Sequence, residues 1–186
     1  MPDVQLVEMV VESVRVHMLS SRHVVILKET DRDRYLPIWI GQWEASSIAM
    51  KLQGLTPERP LTHDLFASAI EALGARVDRV VVVEMSEETY HARLILAMDE
   101  RLIEVDARPS DALALAVRTG ARIFATVDLM DQAGLGEGSP GLTDDPADGD
   151  QPLESLTGGV VDPRLDMFRD FVNSLETDPG GENRTG

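Results

Sequence analysis

The sequence predicts an α+β domain, a mixed β-sheet with packed helices, followed by an acidic extension. Three observations predict it. Short runs rich in Val, Ile and Leu end at Gly, Pro, Asp or Ser, which is how half-buried strands are punctuated. Apolar stripes at helical spacing lie between them. After Gly134 the composition shifts to Gly, Pro, Asp and Ser, too poor in large apolar side chains to offset the entropy of ordering.

Taken in order, Val4 to Met18 reads as one long strand, or two joined by a bulge. His23 to Glu29 and Tyr35 to Ile40 follow as strands, separated by the Asp31-Arg32-Asp33 turn. Gly41 ends the third strand and a helix begins. Ala45, Ile48, Ala49 and Leu52 fall at i, i+3, i+4 and i+7, one buried stripe, and Gly54 closes it. Thr62 is a candidate N-cap for a second helix, with Asp64 in its first turn. Phe66, Ala69, Ile70 and Leu73 supply its apolar face. Val77 to Met85 and Tyr90 to Met98 form a hairpin, and Leu102 to Asp106 a short strand. Pro109 starts a third helix, whose run Ala112 to Val117 is apolar on every side and therefore belongs in a core or interface. Gly120 stops it. Ile123 to Ala125 is a last strand and Val127 to Ala133 a last short helix.

The expected organisation is a folded domain over 1–134, a disordered acidic linker over 135–161, an amphipathic helix over 162–176 and a disordered tail over 177–186. Leu165, Phe168, Val172 and Leu175 give the C-terminal helix one apolar stripe, so it is expected to dock on its own domain or on a partner. Arg34 to Ala49 and Arg101 to Ala116 also echo each other at a constant offset: 67 residues separate Arg34 from Arg101 and Glu44 from Asp111. The expectation is a duplicated β-β-β-α unit, with Glu44 and Asp111 as equivalent first-turn carboxylates.

Composition narrows the function. There is no cysteine, which removes disulfides and thiolate metal sites. Asp3, Glu8 and Glu12 interrupt the first apolar stretch, and no apolar run nears the ~18 residues of a membrane span; a soluble, cytoplasmic protein without membrane contact is expected. The net charge is −16. Residues 1–133 carry 21 acids against 14 bases, and residues 134–186 carry 12 against 3. Even the folded part is acidic, so no broad phosphate-tracking surface is expected. Contact with nucleic acid needs a local arginine cluster or a bridging divalent cation.

Chemistry is concentrated in a few places. Glu44 is either a first-turn acid complementing its helix dipole or a reacting carboxylate. Arg59-Pro60-Leu61-Thr62-His63-Asp64 crowds a base, an imidazole and a carboxylate into a loop entering a helix, either as a capped helix start or as a functional loop. Glu104 and Asp106 share a strand face, with Arg108, Ser110 and Asp111 just beyond. Arg108 either bridges Asp106 and Asp111 to stiffen the turn, or the carboxylates join His63 in an oxygen-and-nitrogen set that hard divalent ions favour. His17, His23 and His91 read as structural or surface residues. Trp39 and Trp43, flanking Gly41, read as core or interface residues, with base stacking as the alternative.

Leu36-Pro-Ile-Trp-Ile-Gly41 with Glu44-Ala45, Arg59-Pro-Leu-Thr-His-Asp-Leu65, and Asp106-Ala-Arg-Pro-Ser-Asp-Ala112 with Ala114-Leu-Ala116 together resemble the bifunctional nuclease domain family, long classed as a domain of unknown function. The match runs from about residue 4 to 135. The resemblance implies an α+β fold, a homo-oligomer and cleavage of RNA and DNA, as described for plant members. It carries over onto Glu44, Arg59, His63, Asp64, Asp106, Arg108, Ser110 and Asp111. Trp43 departs from the smaller or polar residue expected beside Glu44. The resulting expectation is a metal-assisted phosphodiesterase acting on RNA or DNA. Glu44, Asp106 and Asp111 would ligate Mg²⁺ or Mn²⁺, His63 would serve as a further ligand or as general base, Asp64 would belong to the catalytic set, and Arg59 and Arg108 would stabilise the phosphate charge. No organic cofactor is expected. The alternative is a non-catalytic oligomeric regulator or adaptor.

Overall fold

Hydrophobic alternation does build the sheet. The computed structural model describes residues 4–17, 22–87, 89–136 and 139, and among them stand eight strands and four helices. They run β1 (Leu6–His17), β2 (Arg22–Glu29), β3 (Arg34–Ile40), α1 (Gln42–Leu52), α2 (Thr62–Ala72), β4 (Ala75–Ser86), β5 (Thr89–Met98), β6 (Arg101–Ala107), α3 (Pro109–Thr119), β7 (Arg122–Thr126), α4 (Val127–Ala133) and β8 (Leu135–Gly136). β1 is one strand whose register slips between Val11 and Ser13, a bulge at Glu12. Apart from Leu135, Gly136 and Ser139, the expected linker, C-terminal helix and tail lie outside the described residues. No helix among the described residues is long and apolar enough to cross a membrane.

One sheet holds all the strands in the order β6-β5-β4-β7-β1-β2-β3-β8. It is mixed: β4 and β7 pair in parallel, the other neighbours antiparallel. The order reads outward from β7 as 1-2-3 on one side and 4-5-6 on the other. β1 runs antiparallel to β7 and β4 parallel to it, so the two meanders run in opposite senses, as a two-fold axis through β7 requires. The 67-residue offset holds for the starts of β2 and β5, the starts of β3 and β6, and both ends of α1 and α3. The duplicated unit read from the sequence is therefore present in the topology. α1 and α3, its equivalent helices, pack against each other.

The core lies between the sheet and these helices. α1 contributes Ala45, Ile48 and Ala49, and α3 contributes every residue from Ala112 to Ala116, as its all-round apolar sequence predicts. Pro109 is at the first turn of α3 and Gly120 closes it at φ 71° in the left-handed region, where glycine carries no Cβ penalty.

Two expectations fail at α2. Its N-cap is Leu61 rather than Thr62, and the Leu61 N–H donates to Asp64 Oδ2 at 3.0 Å. Its predicted apolar face is not the buried one: Ile70 is buried, but Phe66 is 48% and Leu73 78% exposed. The inward line instead runs His63, Ala67, Ile70. The helix is rotated so that His63 meets polar partners on α1 and α3, which turns Leu65, Phe66 and Leu73 outward.

Candidate functional site

The duplication brings two helix starts together. α1 leaves β3 at Gly41 and α3 leaves β6 at Arg108, and these N-caps are 67 residues apart. Across the seam Arg108 donates from Nη2 to Glu44 Oε1 at 2.8 Å, and from Nε to Asp111 Oδ2 at 2.7 Å. One guanidinium thus bridges the two equivalent carboxylates. The sequence offered a bridge from Arg108 to Asp106 and Asp111; the partner is Glu44 instead. Asp106 turns to Arg93, its cross-strand neighbour on β5, which also holds Glu104 at 3.0 Å.

His63 is fastened at both ring nitrogens. Nδ1 lies 3.0 Å from Ser47 Oγ and Nε2 lies 3.1 Å from Asp111 Oδ1. Below it sits Arg118, whose side chain is 5% exposed. Its Nε donates to Asp64 Oδ1 at 2.7 Å, Nη1 to the Ala114 carbonyl at 2.9 Å, and Nη2 to the Ser47 hydroxyl at 3.0 Å. Ser47, His63, Asp64, Asp111 and Arg118 therefore tie α1, α2 and α3 into one polar network. Sequence reasoning missed Ser47 and Arg118, although Ser47 is three residues from Glu44 and Arg118 seven from Asp111, on the same helix faces. Arg59 stands exposed in the loop before α2, and among the described residues no ion pair joins it to this network.

Electrostatics follow the contacts. Burial pushes the Asp111 carboxyl up, but hydrogen bonds and charge from Arg108 and His63 together hold it below the ordinary carboxylate range. Asp64 shows the same balance, with burial opposed by Arg118 and the Leu61 N–H. Asp111, foremost, raises Arg108 above the usual guanidinium value, with Glu44 adding to it.

The donor set does not fit a resident divalent ion as arranged. Arg108 already occupies the space between Glu44 and Asp111, Asp106 pairs with Arg93, and among the described residues no three His, Asp or Glu side chains gather around one point.

Beside Arg108 opens a cavity of about 550 Å³. Arg22 and Thr89, His23 and Tyr90, Gly41 and Arg108, and Gln42 and Pro109 line it, four pairs each 67 residues apart, so it straddles the repeat. Trp39 and the buried Ser110 complete the part that matters here. Among the described residues its charged side chains are Arg22 and Arg108, the latter paired with Glu44 and Asp111, and no acid lines it. Burial holds the His23 imidazole below its usual range and raises the Tyr90 phenol, so both are neutral at pH 7. Three other surface cavities each balance two acids with two bases. In a chain of net charge −16, this concavity alone among the four favours an anion. Trp39 and Trp43, expected in a core or interface, are 46% and 78% exposed.

Comparison with known proteins agrees with the motifs. The family model for the bifunctional nuclease domain matches residues 25–137. An uncharacterized protein of Mycobacterium tuberculosis is 40% identical over 171 residues, 92% of this chain and 96% of that protein. Bifunctional nuclease 1 of Oryza sativa subsp. indica is 30% identical over 103 residues, 53% of this chain and 31% of the rice protein.

Proposed function

Because the chain belongs to the bifunctional nuclease domain family, we propose that it hydrolyses phosphodiester bonds in RNA or DNA at the cavity beside Arg108. The observation that carries this reading is the cavity's charge: two arginines and, among the described residues, no acid in its lining, in an otherwise acidic chain. A phosphodiester seated there meets Arg22, Arg108 and the N-terminal turns of α1 and α3, all of which favour negative charge.

In this reading Arg108 is a catalytic residue that turns from Glu44 and Asp111 toward the phosphate. The carboxylates it releases lose the cation that restrained them and become the bases placed to take a proton from an attacking water. His63, engaged at both nitrogens, positions Asp111; acting as a base itself would require breaking one of those bonds. Asp64 positions α2 through Arg118. Arg59 and Asp106 lie outside this scheme. A divalent cation would compete with Arg108 for Glu44 and Asp111, so the proposal assigns the positive charge to arginine.

The test uses full-length protein and end-labelled single-stranded RNA and DNA, in Mg²⁺, Mn²⁺ or EDTA. Cleavage by wild type and its loss in Arg108→Ala and Asp111→Asn support the reading. Equal cleavage by all three proteins points to a contaminant and ends it. Activity that requires Mg²⁺ or Mn²⁺ would restore the metal-assisted version.

The outward face of α2 favours a second reading, an oligomeric regulator. Leu65, Phe66 and Leu73 are 63%, 48% and 78% exposed, three large apolar side chains on one helix left to solvent, as association sites leave them. Light scattering of wild type against Leu65→Ser/Leu73→Ser decides whether a second copy covers it.

A further inference from the structure

Trp39 is placed where its size is not rewarded by burial. On β3 the neighbours Leu36 and Ile38 are fully buried, while Trp39 leaves 46% of its surface to solvent. Its companion is Arg22, whose guanidinium carbon sits 4.4 Å from the ring centroid. Strand register accounts for the meeting: β2 pairs with β3 so that Val24 opposes Trp39 and His23 opposes Ile40, which brings the first residue of β2 diagonally across the indole. Among the described residues no carboxylate partners Arg22. An exposed contact of this kind stabilises only weakly, too little to explain leaving an indole half in water.

Both side chains face the same cavity as Arg108. The space therefore offers a flat aromatic–guanidinium surface at one wall and a phosphate-seeking arginine at another. That is the chemistry of one nucleotide unit. The π-surface takes a base of any identity, and the cations take the adjoining phosphate. A base inside a duplex has both faces covered by its neighbours and its edge paired, so it cannot reach a ring within a concave wall. The acidic remainder of the domain also offers no track for a duplex backbone.

We infer that Trp39 and Arg22 form a base-stacking subsite for an unpaired nucleotide next to the phosphate held by Arg108, so that the nucleic-acid ligand of this chain is single-stranded. The inference rests on the nuclease reading for the position of the phosphate and extends it to the class of substrate.

The chain has two tryptophans, and Trp43, 78% exposed on α1, does not line the cavity. Full-length Trp43→Phe protein therefore reports on Trp39 alone. With Asp111→Asn added so that no strand is cut, it is titrated at low salt with a short unstructured DNA strand, the matching RNA strand, an abasic deoxyribose-phosphate strand of equal length, and a blunt duplex; gels verify that each remains intact. Base-bearing single strands should quench Trp39 emission saturably, and the abasic strand and duplex should bind about tenfold or more weakly. Trp39→Leu should weaken binding of a labelled single strand by a similar factor while the thermal melt is retained. Equal affinity for abasic and base-bearing strands, or preference for the duplex, overturns the inference, and that comparison stands even if Trp39→Leu does not fold. Base-dependent quenching without any cleavage removes the nuclease reading alone; cleavage without base dependence removes the stacking subsite alone.

Discussion

Arg108 reaches Glu44 at 2.8 Å although 64 positions separate them, and this bond closes the seam between the two repeats. The Arg108 side chain is 67% exposed, so the ion pair is screened and contributes little to stability. Arg108→Ala should accordingly change the unfolding free energy by about 1 kcal/mol or less. If Arg108 turns to the phosphate during cleavage, the same substitution should lower kcat by about 10²–10³. Arg108→Lys should recover only part of the rate, because an ammonium cannot present the planar fork. Steady-state kinetics beside a urea melt separates the two effects.

Arg118 is the opposite case. Its side chain is 5% exposed and its donors serve Asp64, Ala114 and Ser47. Arg118→Met leaves the Asp64 carboxylate and the Ser47 hydroxyl without this donor and should cost about 3 kcal/mol, read as a lower urea midpoint at unchanged slope. Nucleic-acid affinity of the remaining folded protein should be retained, because Arg118 does not line the cavity. A wild-type midpoint would show that the network is not what holds α2 to α1 and α3.

What the sequence displays well is local. Pro109, Gly120 and the run Ala112 to Ala116 announce a capped, fully buried helix, and the 67-residue echo foreshadows the topology. What it hides depends on partners distant in the chain. α2 carries an amphipathic stripe ending at Leu73, yet the hydrogen bonds that His63 shares with Ser47 and Asp111 set its rotation. Glu104 and Asp106 were legible as sharing a face, but Arg93 as their partner requires the β5–β6 register. Arg22 falls just outside the strand read from His23 to Glu29 until β2 lies against β3 and puts it on Trp39. The cavity itself joins equivalent positions of two repeats, a relationship no single motif contains.

Acid should unfold the protein through its restrained carboxylates. Asp111 and Asp64 both have folded values lowered from 3.8. A lowered carboxyl contributes stability above its unfolded value and loses it as pH falls through the folded one. Wild-type stability should therefore decline progressively below about pH 4. Asp111→Asn should be the less stable protein at pH 7, and the gap should close as the wild-type carboxyl protonates. Urea midpoints of both proteins from pH 7 to pH 2 test this; a gap that stays constant would mean that Asp111 holds its place through shape rather than charge.

Gly41 offers a way to disturb the site from behind. Its backbone, at φ −71° and ψ 155°, is extended and open to any residue, so alanine introduces no backbone strain there. An added Cβ would fall on Glu44 Oε2. That atom is the end of a flexible side chain, so Glu44 can swing aside and the fold should hold, with a melting shift of about 2 °C or less. The displacement removes Glu44 from Arg108. Gly41→Ala should then lower cleavage as Glu44→Gln does. The double variant should be no worse than Glu44→Gln alone, because both substitutions break one contact and their effects cannot add. Additive losses would mean that Gly41 serves the cavity by some route other than Glu44.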